Sequence, residues 1–354
     1  MTPYSTNHTQ LDDWGPDVAR LHRETLTFDA HNDAIVGHIR RGNLPFNGAA
    51  SPAHLSPEGP IAYLRERHQQ PTPVQLNLPL MRAGGLDVAY CAVDCTRAWK
   101  NHMAYALDGW GWLAAEVEHM KGDAMIASTA AELLAAKAAG QVALVLTLEN
   151  SEGLEKSLHA LRMMHRMGVR AVTLTHNVRT WAGDGNWERE SGGGLTTWGH
   201  ELVKELNTLG MLVDVSHGSP RTFWDVMDST RAPVIATHSC CKAVCDHPRN
   251  LDDEQLKAIA QLGGVVGITF VPDFIHPSAP TMALLLDHID HAVQMAGIDH
   301  VGLGSDFDGG GDFIRDASQL PGITAGLLER GYAPEAIQQI LGGNHLRLFR
   351  TVCG

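Results

Sequence analysis

The chain has 354 residues, 44% of them hydrophobic and 19% charged, which is typical of a globular protein with a sizeable core. Its formal net charge of -13 at pH 7 argues against a nucleic-acid partner, because binding phosphates requires clustered lysine and arginine. The N-terminal stretch MTPYSTNHTQLDDWG lacks the pattern of a secretory signal, and no apolar run is long enough to span a bilayer. We therefore expect a cytoplasmic, bacterial protein that binds neither nucleic acid nor membrane.

Short apolar segments alternate with longer helical patterns from about Thr25 onwards, which predicts repeated βα units and a parallel sheet. Several helical patterns end in glycine just before the next strand, as at Gly168, Gly210 and Gly297, which is typical of a left-handed helix end. Eight strands in this rhythm favour an α/β fold, a (β/α)8 barrel of the TIM type forming one domain over residues 1–354. The predicted strands are residues 25–30, 86–93, 142–148, 169–175, 211–216, 233–237, 264–270 and 300–305. The predicted helices include residues 154–167, 199–209, 254–262 and 282–296.

Two insertions interrupt this rhythm. Residues 38–79, which contain many prolines, follow the first predicted strand, and residues 180–197, rich in glycine and tryptophan, follow the fourth. We expect both on the C-terminal face of the barrel, where such enzymes build substrate pockets from their loops.

The chain has six cysteines, and no two of them form a Cys-x-x-Cys pair. We interpret Cys91, Cys95, Cys240, Cys241, Cys245 and Cys353 as reduced thiols of the core. The alternative is a thiolate zinc site formed by Cys241, Cys245 and a nearby histidine.

The residues that follow the predicted strands carry the strongest functional signal. His31 and Asp33 follow the first strand, and two residues so spaced on a strand face the same way. Glu149, His176, His217, His238 and Asp306 end or follow the third, fourth, fifth, sixth and eighth strands. Because strand ends converge at the mouth of a barrel, we expect one cluster of four imidazoles and three carboxylates. Alone, each residue could be a hydrogen-bonded rim residue or a helix cap.

This ligand set predicts metal binding. Imidazole and carboxylate groups suit zinc, iron, nickel, copper or manganese. The cluster exceeds the three protein ligands of a single catalytic zinc, so we expect two metals with Glu149 as a bridge and a shared water as the nucleophile. The histidines of helical segments are interpreted as surface or packing residues without a site role; they are His119, His159, His165 and His291.

The sequence resembles the renal (membrane) dipeptidase family, a branch of the metal-dependent amidohydrolase superfamily. The resemblance runs over nearly the whole chain from about Thr25. It rests on FDAHNDA, QLNLPLMRAGGLD, the Glu149 segment, GVRAVTLTHN, GLTTWGHELVKELNTLGMLVDVSH, RAPVIATHS, PRNL, VGLGSDFDG and the ending GGNHLR. It implies two zinc ions per chain, the first held by His31, Asp33 and Glu149 and the second by Glu149, His217 and His238.

The same resemblance implies a mechanism. A hydroxide bridging the two zinc ions attacks the peptide carbonyl, Asp306 shuttles the proton, and His176 stabilises the oxyanion and contacts the substrate. Arg249 grips the terminal carboxylate with its planar fork. Phe274 departs from the family pattern, since a close relative would offer a tyrosine hydroxyl there.

We therefore expect a zinc dipeptidase that hydrolyses L-Xaa-L-Xaa or L-Xaa-D-Xaa dipeptides. One alternative is another binuclear-metal amidohydrolase that acts on N-acyl amino acids, lactones or β-lactams. A second is a non-catalytic zinc-binding relative, although the presence of Asp306 argues against it. A homodimer is the default expectation because two-fold homodimers are the commonest oligomers.

Overall fold

The computed structural model describes Tyr4 and residues 6–49, 73–97 and 101–354. Residues 50–72 of the predicted insertion 38–79 therefore lie outside the described residues. In the described part of the chain, nine parallel strands form one sheet. They are β1 (Phe28–Asn32), β2 (Val88–Asp94), β3 (Ala124–Ile126), β4 (Val142–Glu149), β5 (Val169–Thr173), β6 (Leu212–Asp214), β7 (Ile235–Ser239), β8 (Val265–Ile268) and β9 (Val301–Leu303).

Eight of these strands form a barrel in the order β1-β2-β4-β5-β6-β7-β8-β9. The barrel closes where the segment after β9 meets β1. There the backbone N–H of Asp306 donates to the carbonyl of His31 at 2.9 Å, and the N–H of Asp33 donates to the carbonyl of Phe307 at 2.8 Å. The predicted (β/α)8 barrel is thus confirmed. The short strand β3, which pairs only with β4 outside the ring, was not predicted because its apolar run spans only three residues.

Helices surround the sheet. The described α-helices are α1 (Pro16–Glu24), α2 (Ala34–Arg40), α3 (Leu78–Gly84), α4 (His102–His119), α5 (Ala130–Ala138), α6 (Leu158–Arg166), α7 (Thr197–Leu209), α8 (Pro220–Ser229), α9 (Asp253–Gln261), α10 (Pro272–Ile275), α11 (Met282–Ala296), α12 (Pro321–Glu329), α13 (Pro334–Gln338) and α14 (Asn344–Cys353). The predicted helix end at a left-handed glycine is clearest for α7. There Gly210 adopts φ 68 and ψ 45 and ends the helix before β6. Among the described residues, no helix combines the length and apolar character needed to cross a membrane.

The inside of the barrel is a packed apolar core. Phe28 of β1 and Tyr90 of β2 belong to this core, together with Leu348 and Phe349 of α14. The ring centroids of Tyr90 and Phe349 lie 6.0 Å apart, so the last helix packs against the barrel interior. Since the apolar side chains fill the inside, the polar residues that end the strands are left to form the mouth.

Candidate metal centre

Most of the predicted site residues lie at or just after the carboxyl end of a strand. Glu149 is the last residue of β4, and His238 lies within β7. His176, His217 and Asp306 each follow three residues after the end of β5, β6 and β9, respectively. Because all the strands are parallel, their carboxyl ends meet at one face, and the structure brings these residues together there.

Asp33 reaches the same cluster in a way that the sequence analysis did not predict. His31 lies within β1, but Asp33 lies beyond the strand as the residue that precedes α2, with φ -101 and ψ 28. The expectation that both residues point from one strand is therefore wrong. The turn into α2 nevertheless places Asp33 Oδ2 3.8 Å from His31 Nε2.

A first cluster surrounds the buried ring of His31. Its Nε2 atom makes no hydrogen bond in the described part of the chain. It lies 3.8 Å from Asp33 Oδ2, 3.7 Å from Glu149 Oε2 and 3.8 Å from Asp306 Oδ1. These distances are too long for hydrogen bonds, whereas atoms arranged around a shared cation are expected to lie this far apart. His31, Asp33 and Glu149 thus fit a divalent metal ion.

A second cluster is formed by two facing imidazoles. The Nε2 atoms of His217 and His238 lie 2.7 Å apart, and Glu149 Oε1 is 3.2 Å from the former and 3.8 Å from the latter. The Nδ1 atom of His217 lies 3.0 Å from Asn177 Oδ1, which can only accept a hydrogen bond. His217 therefore carries its proton on Nδ1 and turns the lone pair of Nε2 toward the cluster, as a metal ligand does.

Glu149 belongs to both clusters. The ligand atoms of His31, Asp33 and Glu149 lie within 4.8 Å of one another, and so do those of Glu149, His217 and His238. One carboxylate oxygen faces each group, which is the arrangement expected of a bridging ligand.

The electrostatics of the two clusters differ. Burial lowers the pKa of His31, but Glu149, Asp33 and Asp306 outweigh this effect and raise that pKa to about 10. The field at His31 is therefore strongly negative and would attract a cation. By contrast, burial and the neighbouring Arg249 and histidines hold the pKa of His217 well below its usual range. Neutral imidazole is the form that binds metals.

The backbone of the site is strained at two of the predicted residues. His217 has φ 66 and Asp306 has φ 61, a region that residues other than glycine rarely adopt. A tight turn holds Asp306, because its carbonyl accepts hydrogen bonds from the N–H groups of Gly309, Gly310 and Gly311 at 3.1, 3.0 and 2.7 Å. Such strain is common where a side chain must be held in one orientation for function.

Arg249 lies beside the second cluster. It is 6% exposed, and its Nη2 donates to the carbonyl of His238 at 3.3 Å. Burial lowers the pKa of Arg249 to about 10, so it remains charged at neutral pH. Its Nε makes no hydrogen bond within the described residues. A buried guanidinium with an unused donor is chemically suited to an anionic group.

Phe274, which departs from the expected family pattern, packs against this arginine. The guanidinium carbon of Arg249 lies 5.3 Å from the centre of the Phe274 ring, within the range of a cation–π contact. The ring of Phe274 also stacks on His247, with 4.5 Å between the ring centroids.

His176 lies at the outer edge of the cluster. Its side chain is 22% exposed, and its Nε2 is 3.9 Å from Glu149 Oε1. The ring stacks on His217 with 4.1 Å between centroids. It is therefore placed to meet both the buried groups and a molecule that enters from solvent.

Asp94 is a site residue that was not predicted from the sequence. It is the last residue of β2, pairs with Glu149 of β4 in register, and is 2% exposed. Ligand atoms of Asp94, Glu149 and His176 lie within 4.8 Å of one another. The rule that found the other residues would have found it, but the predicted strand stopped at Val93.

The alternative cysteine site is not supported. Burial raises the pKa of Cys241 to about 12, its Sγ donates to the carbonyl of His288 at 3.2 Å, and Cys245 Sγ donates to that of Asp273 at 3.5 Å. Within the described residues, none of the His, Cys, Asp and Glu clusters that could hold an ion contains a cysteine. All six cysteines are free thiols.

Residues 17–353 match the sequence model of the membrane dipeptidase family, peptidase family M19. The chain belongs to this family. Among curated proteins, dipeptidase verJ of Clonostachys rogersoniana is 36% identical over 231 residues, which cover 64% of this chain and 60% of the relative. Dipeptidase tcpJ of Claviceps purpurea is 36% identical over 219 residues, 60% of this chain and 52% of the relative. The matched region thus spans little more than half the length of these relatives.

A solved structure of a metallopeptidase agrees over nearly the whole fold. A metallopeptidase from Rhodobacter sphaeroides, in complex with a phosphinate mimic of the dipeptide L-Ala-D-Ala, superposes with a TM-score of 0.79 at 27% identity. The alignment covers 93% of this chain and 99% of that one. Dipeptidase AC, a metallopeptidase of family M19, also superposes with a TM-score of 0.79 at 27% identity, so the barrel described above is the fold of this family.

Proposed function

We propose that the protein is a zinc-dependent dipeptidase that holds two zinc ions per chain. The observation that carries this proposal is the pair of ligand clusters that share Glu149 at the barrel mouth. His31 and Asp33 would complete the first site, and His217 and His238 the second. Family membership supports the proposal, as do the curated relatives named dipeptidases.

Two zinc ions held there would supply an acidified water as the nucleophile and would polarise the scissile carbonyl. The remaining steps fall to side chains of this chain. Asp306, at 3.8 Å from His31 Nε2, would accept the proton of the attacking water and deliver it to the leaving amine. His176 would donate a hydrogen bond from its imidazole to the oxygen that becomes negative.

Arg249 would set the substrate class. Its buried guanidinium and unused Nε donor suit the free carboxylate of a small peptide, which the planar fork binds through two parallel hydrogen bonds. We propose dipeptides with an L-residue at the amino end and either an L- or a D-residue at the carboxyl end. The Rhodobacter sphaeroides relative, which holds a mimic of L-Ala-D-Ala, supports the second class.

The direct test is metal analysis of the purified protein together with a substrate panel. We expect about two zinc ions per chain, as two-metal hydrolases require, and turnover of L,L or L,D dipeptides. N-acetyl dipeptides, lactones and β-lactams serve as the competing substrates. Turnover of these compounds without any dipeptide turnover would refute the proposal, and so would a zinc-loaded protein that is inactive on the whole panel.

A matched pair of variants links the activity to the cluster. Glu149→Gln removes the charge shared by both proposed zinc sites, so we expect loss of bound zinc and of dipeptide turnover. Glu152→Gln is the control, because this nearby carboxylate accepts a hydrogen bond from the N–H of Trp181 at 2.9 Å and belongs to neither cluster. Equal zinc content in the two variants would contradict the assignment of Glu149.

A further inference from the structure

Asp214 is a buried carboxylate to which the proposed mechanism gives no role. It is the last residue of β6 and is 1% exposed. Its Oδ1 accepts from the backbone N–H groups of Ser216 at 2.9 Å and Thr237 at 3.0 Å. Its Oδ2 accepts from the hydroxyls of Thr173 at 2.6 Å and Thr237 at 2.7 Å. Four donors therefore surround the one carboxylate, which matches the acceptor capacity of its ionised form.

Thr237 connects this carboxylate to His238. The single hydroxyl proton of Thr237 is directed to Asp214 Oδ2, while its Oγ1 lies 2.9 Å from His238 Nδ1. The oxygen can only accept in that second contact, so Nδ1 of His238 carries the proton. The hydroxyl of Ser216, 3.3 Å away, can then act only as a donor to the same oxygen. As a result, the lone pair of His238 Nε2 faces His217 and Glu149. Since the Nε2 atoms of both imidazoles are then unprotonated, the 2.7 Å contact between them is one that a shared cation would stabilise.

We propose that Asp214 and Thr237 are positioning residues that fix the tautomer and ring orientation of His238 and thereby hold the second zinc ion. The inference rests on the proposed function. His217 receives a weaker form of the same support, because its Nδ1 bonds to the neutral amide oxygen of Asn177 at 3.0 Å. The Nδ1 of His238 also bonds to a neutral oxygen, but that hydroxyl donates in turn to the Asp214 carboxylate. Hydrogen bonds in such a chain strengthen one another, so His238 is the more firmly held of the two imidazoles.

A different role for Asp214 must be distinguished from this one. Its carboxylate lies within 4.8 Å of the ligand atoms of His31 and His238, so distance alone would allow it to bind a metal. However, the four hydrogen bonds, two to each oxygen, already use the acceptor capacity of an ionised carboxylate. We therefore assign Asp214 an effect that reaches the zinc through Thr237 and His238.

Zinc affinity, measured by competition with a chromogenic chelator, tests this assignment independently of catalysis. Thr237→Val keeps the shape of the side chain but removes the hydroxyl. We expect it to lower the affinity for one of the two zinc ions by about 10- to 100-fold. Thr237→Ser restores the hydroxyl and should bind zinc as the wild type does. Thr173→Val is the matched control, because it deletes a hydrogen bond to the same Oδ2 atom without any link to His238.

Nitrogen-15 NMR of the imidazoles provides a second readout. We expect His238 to be protonated on Nδ1 in the wild type and in Thr237→Ser, and to populate both tautomers in Thr237→Val. A change of the tautomer together with a loss of zinc affinity would support the relay.

Four outcomes would overturn the inference. They are unchanged zinc affinity in Thr237→Val, an equal loss in Thr173→Val, an unchanged tautomer of His238 in Thr237→Val, and loss of zinc in Asp214→Asn while Thr237→Val binds normally. The last outcome would make Asp214 a direct ligand. A wild-type protein that binds no zinc would instead refute the proposed function, and the inference would fall with it.

Discussion

Substitution of Gly309 tests whether the site requires the close approach of this backbone position to two carboxylates. A methyl group added there would lie 2.0 Å from Asp33 Oδ2 and 2.4 Å from Asp306 Oδ1, both well inside van der Waals contact. Gly309→Ala must therefore displace two carboxylates by roughly 1 Å, and a misplacement of that size can cost about 10²-fold in rate. We expect kcat on a dipeptide to fall by about that factor, equivalent to about 2.7 kcal/mol of transition-state stabilisation.

The neighbouring Gly310 is the control, because a methyl group there would meet Asp306 Oδ2 at 3.3 Å, a contact that a small shift relieves. Gly310→Ala should retain most of the activity. Steady-state kinetics of the two variants, with zinc content and melting temperature measured in parallel, separate local displacement from unfolding. Wild-type kcat and zinc content in a folded Gly309→Ala protein would refute the view that Asp33 and Asp306 require this close backbone approach.

Three further predictions concern single side chains. Asp306→Asn should keep its zinc but lose about 10²-fold in turnover, and unchanged turnover would exclude proton transfer by Asp306. Arg249→Lys should raise the KM for dipeptides by about 10-fold while kcat changes little, and an unchanged KM would contradict carboxylate binding. Burial lowers the pKa of His345 from 6.5 to about 4. Below pH 6.5 this imidazole is therefore protonated in the unfolded chain while it stays neutral in the folded chain. Acid thus reduces the free energy of unfolding, by about 2 kcal/mol at pH 5. Denaturant titrations of wild type and His345→Gln should show a smaller loss in the variant, and equal losses would contradict this.

The barrel could be predicted because each strand carries its own local signal. β4 is a mostly apolar run that ends in a polar residue, and α11 was located at its observed bounds. The sequence could not reveal the turn at Asp33, since a residue just after a strand can either continue it or begin a helix. It also gave no indication of β3, whose three residues are held mainly by their pairing with β4.

The identity of the site residues could be predicted better than the contacts between them. The expectation that polar residues at strand ends form the site located His217 and Asp306. Their positive φ values could not be predicted, because residue type alone does not reveal this backbone conformation. Asp94 was missed through an error of one residue in a strand boundary, the least reliable part of such predictions. The hydrogen bonds of Asp214 join three different strands, and only the folded register brings them together.

The hydrogen bonds that close the barrel affect how the chain folds during biosynthesis. The bonds between His31 and Asp306, and between Asp33 and Phe307, join the first strand to a segment near the end of the chain. Neither of these residue pairs can form while the ribosome is still translating the last strand, since contacts between distant parts of a chain form only once both parts are available. The complete set of ligands around His31 is therefore a late product of folding, and a chain released early would leave β1 as an open sheet edge prone to aggregation.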